Sequence, residues 1–156
     1  MSGRIYFDHA ATTAISPRAL AVVTEQMAIL GNPSSLHFDG RKVRDLVEGA
    51  REEIAQAIGS TPSEVIFTAS GTEANNSAIK GLYWHRAPRR VIVTTPVEHH
   101  AVADPIKWLA EHEGAVVREV AVDRDGAIDL ADLTRIVEAD RESIALVALI
   151  HTNNEI

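Results

Sequence analysis

The feature that most constrains the fold is an alternation that begins near residue 65. Four apolar runs of strand length succeed one another: Val65-Ile66-Phe67-Thr68, Arg90-Val91-Ile92-Val93-Thr94, residues 115–122 and residues 143–150. Between them lie three stretches with apolar residues at helical spacing, over 72–86, 101–113 and 129–139. Strands separated by helices cannot pair as hairpins. Each helix must carry the chain back to the edge where the previous strand began, so the strands run parallel under helical cover. The expectation is an α/β fold with a mainly parallel, helix-flanked sheet. Two helices are expected upstream. The first starts at Ser16-Pro17, with Ser as cap and Pro in the first turn, and ends at Gly31-Asn32-Pro33. The second runs from about Gly40 to Ile58 on a stripe of Val43, Leu46, Val47, Ala50, Ile54 and Ala57, and Gly59 ends it.

Composition narrows the function classes. Hydrophobic residues make up 46% of the 156 and aromatics only 4%, which suits small side chains packed between helices and a sheet. The formal net charge is −7 with no basic run, which argues against nucleic acid as a partner, since phosphates are neutralised by clustered Lys and Arg. There is no Cys, so this stretch offers no disulfide, thiolate metal site or Cys nucleophile. The residues from Met1 to Tyr6 lack the apolar core of a signal peptide, and no apolar run approaches membrane-spanning length. A cytoplasmic protein without membrane contact is expected. No metal site is expected either: His112-Glu113 has no second His after it at the spacing of a zinc helix.

Three loops leave the carboxyl ends of the expected strands: residues 69–72, 95–100 and 151–154. In a parallel sheet these ends share one edge, where ligands of open α/β sheets bind. The first loop, Ser70-Gly71-Thr72, carries two readings. It is an ordinary helix cap, or it is a phosphate cradle made of free N–H groups, two hydroxyls and the positive end of a helix dipole. The second offers His99 and His100. Neighbours on a helix cannot both face one spot, so at most one is expected to point at a ligand; a surface or capping His is the bland alternative. The third offers Asn153 and Asn154. Together they suit a ligand with a phosphate and a polar ring, either pyridoxal phosphate or a nucleotide. The lysines, Lys42, Lys80 and Lys107, all fall inside expected helices and none at a strand end, so none is expected to bind pyridoxal phosphate covalently. Tyr83, Trp84 and Trp108 read as packing residues, and Arg41 as a surface residue.

Five segments in order carry a resemblance: Tyr6-Phe7-Asp8-His9-Ala10-Ala11-Thr12-Thr13, Gly31-Asn32-Pro33-Ser34-Ser35-Leu36-His37, Phe67-Thr68-Ala69-Ser70-Gly71-Thr72-Glu73-Ala74-Asn75-Asn76, Val97-Glu98-His99-His100-Ala101-Val102 and His151-Thr152-Asn153-Asn154-Glu155-Ile156. Together they resemble the first part of a cysteine desulfurase of the class V aminotransferases, across essentially the whole chain. The resemblance implies part of the large domain of a fold type I pyridoxal-phosphate transferase. It implies that Gly71 and Thr72 bind the cofactor phosphate. His99 would stack on the pyridine ring and help move a proton, and Asn154 would bond the ring hydroxyl. The implied reaction takes L-cysteine, releases alanine, and passes sulfur through an enzyme persulfide to an acceptor such as an iron–sulfur scaffold protein; a homodimer is implied as well.

The resemblance also implies what is missing. The family's covalent lysine, the aspartate at the pyridine nitrogen and the persulfide cysteine all come after the Asn-Asn-Glu-Ile stretch. The chain stops just after a strand end, so it is expected to be truncated and, alone, inactive. Residues 1–15 are expected to form a segment near the active-site mouth, and residues 16–156 the first part of the cofactor-binding domain. A selenocysteine lyase or related carbon–sulfur lyase is an alternative of the same family. A non-catalytic binding or dimerisation module is one of a different class.

Overall fold

The structure, a computed structural model, describes residues 5–156; what was expected of residues 1–4 lies outside them. It divides into two compact units, Met1–Phe67 and Thr68–Ile156.

The first unit holds two helices, α1 (Pro17–Met27) and α2 (Phe38–Ile58), and a single 3₁₀ turn at Pro62–Glu64. Each helix starts where its cap chemistry dictates. The Ser16 hydroxyl accepts the Ala19 N–H at 3.2 Å, and Pro17 occupies the first turn, where its missing N–H costs nothing. The cap of α2 is His37, whose Nδ1 accepts the Gly40 N–H, so the helix begins two residues before its expected start. Gly59 ends it at φ +70°, in the left-handed region that glycine enters without strain. The loop between the helices lies hard against the start of α2. A Cβ on Gly31 would stand 2.6 Å from the Asp39 carbonyl oxygen, and one on Gly40 would stand 2.6 Å from that of Asn32. α1 ends at Met27, short of the expected Gly31, and Leu30 is exposed beyond it.

The second unit is built on a three-stranded parallel sheet in the order β2-β1-β3, with β1 Val91–Thr94, β2 Val116–Glu119 and β3 Ile144–Val147. Helices α3 (Gly71–His85), α4 (His100–Glu113) and α5 (Leu130–Asp140) flank it. The fold is therefore α/β with a parallel, helix-covered sheet, as the alternation requires. β1 is central and its four residues are all buried, which is why it reads as a continuous apolar run and not an alternating one. Its side chains divide between two cores. Ile92 packs with Ile79 and Tyr83 of α3 and Ile106 and Leu109 of α4. Val91 and Val93 pack with Val120 and with Ile136 of α5. Two crossovers that leave in opposite directions, β1 to β2 and β2 back across to β3, thus put α4 and α5 on opposite faces, as right-handed connections demand. β3 meets β1 through one irregularity: Ile144 opposes Val91 and Leu146 opposes Ile92, leaving Ala145 as the extra residue.

Two expectations fail. Residues 65–68 do not form a strand. No described strand pairs with them, and an unpaired extended segment leaves its backbone groups to other partners, as when the Arg51 guanidinium takes the Val65 carbonyl. Ile66 is 79% exposed. The other two flanking runs make shorter strands than expected, four residues each. Beyond β2 the chain bends into an isolated antiparallel bridge, Val122 to Ile128, closed by Asp123, which accepts the Asp125 and Ala127 N–H groups, and by Gly126 at φ +77°.

Candidate functional site

The carboxyl edge of the sheet in the second unit gathers the residues singled out from the sequence. Past β1, the Val120 N–H donates to Thr94 and the Ala148 N–H to Val93, both at 2.8 Å, so the loops after β1 and β3 leave side by side.

α3 starts at this edge with a reciprocal cap. The Ser70 hydroxyl accepts the Glu73 N–H at 3.1 Å, and the Glu73 carboxylate accepts the Ala69 N–H at 2.7 Å. Of the two readings of this turn, the cap is realised, and it uses up Ser70. It does not use the N–H groups of Gly71 and Thr72, which have no partner among the described residues, nor the Thr72 hydroxyl. A Cβ built on Gly71 meets nothing within 4 Å, so the space on that side of Gly71 is open.

His99 is the cap of α4. Its Nδ1 accepts the Ala101 N–H at 3.0 Å. A nitrogen that accepts carries no proton, so this geometry assigns the neutral ring with its proton on Nε2. Nε2 has no partner among the described residues. Two of the clefts that His99 borders hold other candidates. One, of about 410 Å³, is lined also by Thr72, Asn76, Lys80 and Trp108. The other, of about 290 Å³, is lined also by Val97, Glu98, Asn153 and Asn154. The structure thus brings Thr72, His99 and Asn154 to adjoining clefts with His99 as the shared wall. Gly71 lines neither.

Both neighbouring histidines, His99 and His100, line these two clefts. The helical rule does not apply because His99 is the extended residue before α4, at φ −63° and ψ 144°, and only His100 lies in the helix.

Two side chains hold this edge together: Glu98, to which the sequence assigned no role, and Asn153, which it offered beside Asn154 as a candidate for the ligand. Glu98 Oε1 accepts the Thr95 hydroxyl at 2.8 Å and the Ile150 N–H at 2.7 Å. Asn153 Nδ2 donates to the Val97 carbonyl at 2.9 Å. The available signals were faint: a Thr directly after a buried strand, whose hydroxyl needs a partner, and an Asn-Asn pair in which one member is free to be structural.

Of the aromatic residues, Tyr83 is buried and donates to the Glu113 carbonyl at 3.2 Å. Trp84 and Trp108 are not core residues; they are 52% and 36% exposed. Trp108 forms a surface stack, with His112 parallel to its ring at 4.9 Å and the Lys80 ammonium 4.1 Å from its centroid. In the first unit, Arg41 is exposed and donates to the Leu36 carbonyl, and Asp8 accepts the Ala11 N–H within its own turn. Among the described residues no group of three or more His, Asp or Glu is placed to hold a metal ion, and no helix is long and apolar enough to cross a membrane.

The family model for aminotransferase class-V matches residues 5–156, and the chain belongs to that family. It is similar to an IscS-like cysteine desulfurase of Mycobacterium tuberculosis, 47% identical over 155 residues, which are 97% of this chain and 39% of that protein. Among solved structures it is similar to a NifS-like protein, at 36% identity and a TM-score of 0.90, with 99% of this chain and 42% of that one covered. It is similar also to SspA in complex with cysteine, at 33% identity and a TM-score of 0.85, with 97% and 43% covered. The chain therefore spans about two fifths of the length of the relatives it matches.

Proposed function

We propose that this chain is the part of a cysteine desulfurase that forms one wall of its pyridoxal-phosphate site. The observation that carries the reading is the position of His99, shared between a cleft holding Thr72 and a cleft holding Asn154. The residues fit the cofactor by donor chemistry. Two free N–H groups at a helix start, with a hydroxyl beside them and open space above Gly71, suit a dianionic phosphate. An imidazole whose Nε2 is free and a free carboxamide suit an aromatic ring with polar substituents.

On this reading Gly71 and Thr72 hold the phosphate and Asn154 bonds the ring hydroxyl. His99 stacks on the ring and presents Nε2–H as a proton donor, held in that tautomer by its own cap bond. Pyridoxal phosphate, when bound, supplies the electron sink for chemistry at the α-carbon of an amino acid. L-Cysteine as substrate is supported by the desulfurase relatives and by the cysteine complex of SspA. We further propose that the whole protein is a cytoplasmic homodimer that passes sulfur to an acceptor such as an iron–sulfur scaffold. We propose, on the family resemblance, that its covalent lysine lies outside this chain; Lys42 and Lys107 are exposed, and Lys80 stands over the Trp108 ring.

The test uses the protein that carries this chain in its complete form. Thr72→Ala is expected to lose pyridoxal phosphate on dialysis. His99→Ala is expected to retain it while alanine release falls about 10²- to 10⁴-fold, the usual share of a positioned acid–base group. Normal turnover in His99→Ala would remove the histidine from the mechanism. A borohydride-reduced cofactor adduct on Lys42, Lys80 or Lys107, located by mass spectrometry, would overturn the assignment of the lysine.

A further inference from the structure

We infer that Glu98 is a positioning residue that clasps the His99 loop to the Asn154 loop and so fixes the two cofactor-facing groups relative to each other. The inference rests on the cofactor reading above but stands on separate geometry. The Glu98 carboxylate sits where two donors converge on one oxygen: the Thr95 hydroxyl from its own loop at 2.8 Å, and the Ile150 N–H from the loop after β3 at 2.7 Å. Thr95 is buried, so its hydroxyl needs this partner. The other loop answers in kind. Asn153 reaches back to the Val97 carbonyl at 2.9 Å, and its own Oδ1 accepts the Glu155 N–H at 2.8 Å.

The two struts are arranged alike. In each loop, the residue immediately before the proposed cofactor-facing side chain anchors that loop to the other one: Glu98 before His99, and Asn153 before Asn154. Fixing each anchor fixes the backbone from which the next side chain projects, and Glu98, His99, Asn153 and Asn154 all border one cleft. His99 itself is held at φ −63° and ψ 144°. A carboxylate suits the role because it only accepts. It takes both donors without leaving an N–H of its own unpaired, and bonds to an ionised acceptor are the stronger kind.

The experiment is amide hydrogen exchange on the complete protein, first without and then with pyridoxal phosphate. Glu98→Ala is expected to speed exchange across residues 148–154 about tenfold, from loss of one charge-assisted bond, and to leave residues 91–94 of β1 protected. Glu98→Gln, whose amide oxygen still accepts, is expected to restore most of that protection. Thr95→Val, which removes one donor and keeps the fold's apolar volume, is expected to give a smaller change at the same residues and serves if Glu98→Ala does not fold. In Glu98→Ala the cofactor's affinity is expected to fall about tenfold and its absorption spectrum to shift. Unchanged exchange over 148–154 would overturn the clasp. Faster exchange spread equally into β1 would make Glu98 a general stabiliser, and faster exchange with unaltered cofactor affinity and spectrum would remove its positioning role. If the unmodified protein takes up no pyridoxal phosphate, the cofactor reading fails and the role toward the cofactor falls with it. The exchange result still decides whether the clasp itself exists.

Discussion

The two units reach order by different routes. In Thr68–Ile156, a central strand is buried on both faces and organises two cores. In Met1–Phe67, α1 has no buried residue at all, and the long α2 has only Gly40 and Ala55. Its order is written in caps, a left-handed glycine and loop carbonyls tied down by arginine side chains: Arg44 to Pro33, Arg41 to Leu36. Its apolar residues are largely exposed, and a cleft of about 780 Å³ lined by Val22, Ile29, Val43, Leu46 and Phe67 runs through it. The lesson is that a helix can be specified locally without being stabilised locally, since most helical stability comes from a buried face.

The largest test of this contrast compares two apolar truncations in the complete protein. Leu109→Ala removes a side chain with no exposed surface and is expected to cost about 2–5 kcal/mol in urea unfolding. Met27→Ala, at a side chain 82% exposed, is expected to cost no more than about 0.5 kcal/mol. A Met27→Ala cost near that of Leu109→Ala would show this face to be covered in solution and would erase the contrast.

A smaller effect separates two glycines. Gly40→Ala forces a Cβ to 2.6 Å from the Asn32 carbonyl and 2.7 Å from the Ser35 side chain and carbonyl, and is expected to cost about 1–3 kcal/mol. Gly71→Ala meets no atom of the chain, so its stability is expected to stay within about 0.5 kcal/mol of the parent. On the proposed reading its pyridoxal phosphate retention falls nonetheless. Cofactor retention and stability moving together in Gly71→Ala would break the distinction.

The smallest effect is a pH dependence, with one carboxylate in each unit. Asp132 is held below its ordinary value by the Ala121 N–H and then by Arg135; Glu64 is held below by the N–H and then the hydroxyl of Thr61. A folded value below the unfolded one means stability that is fully present above the ordinary carboxylate range and lost as pH falls through the folded value. Asp132→Asn is therefore expected to lower stability slightly at pH 7, and the gap to the parent protein to close under acid. A gap of constant size down to about pH 2, below the ordinary carboxylate range, would show that the charge is not what matters there.

What could be read in advance divides along physical lines. Ser16, Gly59 and Ser70 fix helix ends through their own backbone neighbours, so the sequence shows them directly. The fully buried β1 is legible because both its faces are apolar. The run at 65–68 has the composition of a strand, but pairing is a property of two segments, and its own residues say nothing of the second. The Glu98 and Asn153 bonds span 52 and 56 residues, and no local pattern announces them. His99 and Asn154 were legible as candidates because parallel topology brings the ends of β1 and β3 to one edge; Thr72 was placed there by a strand at 65–68 that does not form. How far apart the clasp holds His99 and Asn154 was not legible.

The stack of Lys80, Trp108 and His112 has an optical consequence. Trp108 is one of two indoles in the chain and borders the same cleft as Thr72 and His99, in contact with a cation and with an imidazole ring. Indole emission responds to nearby charge and to exclusion of water. The cleft thus carries its own fluorophore, and with Trp84 replaced by Phe, a molecule settling there can be followed by light without a label.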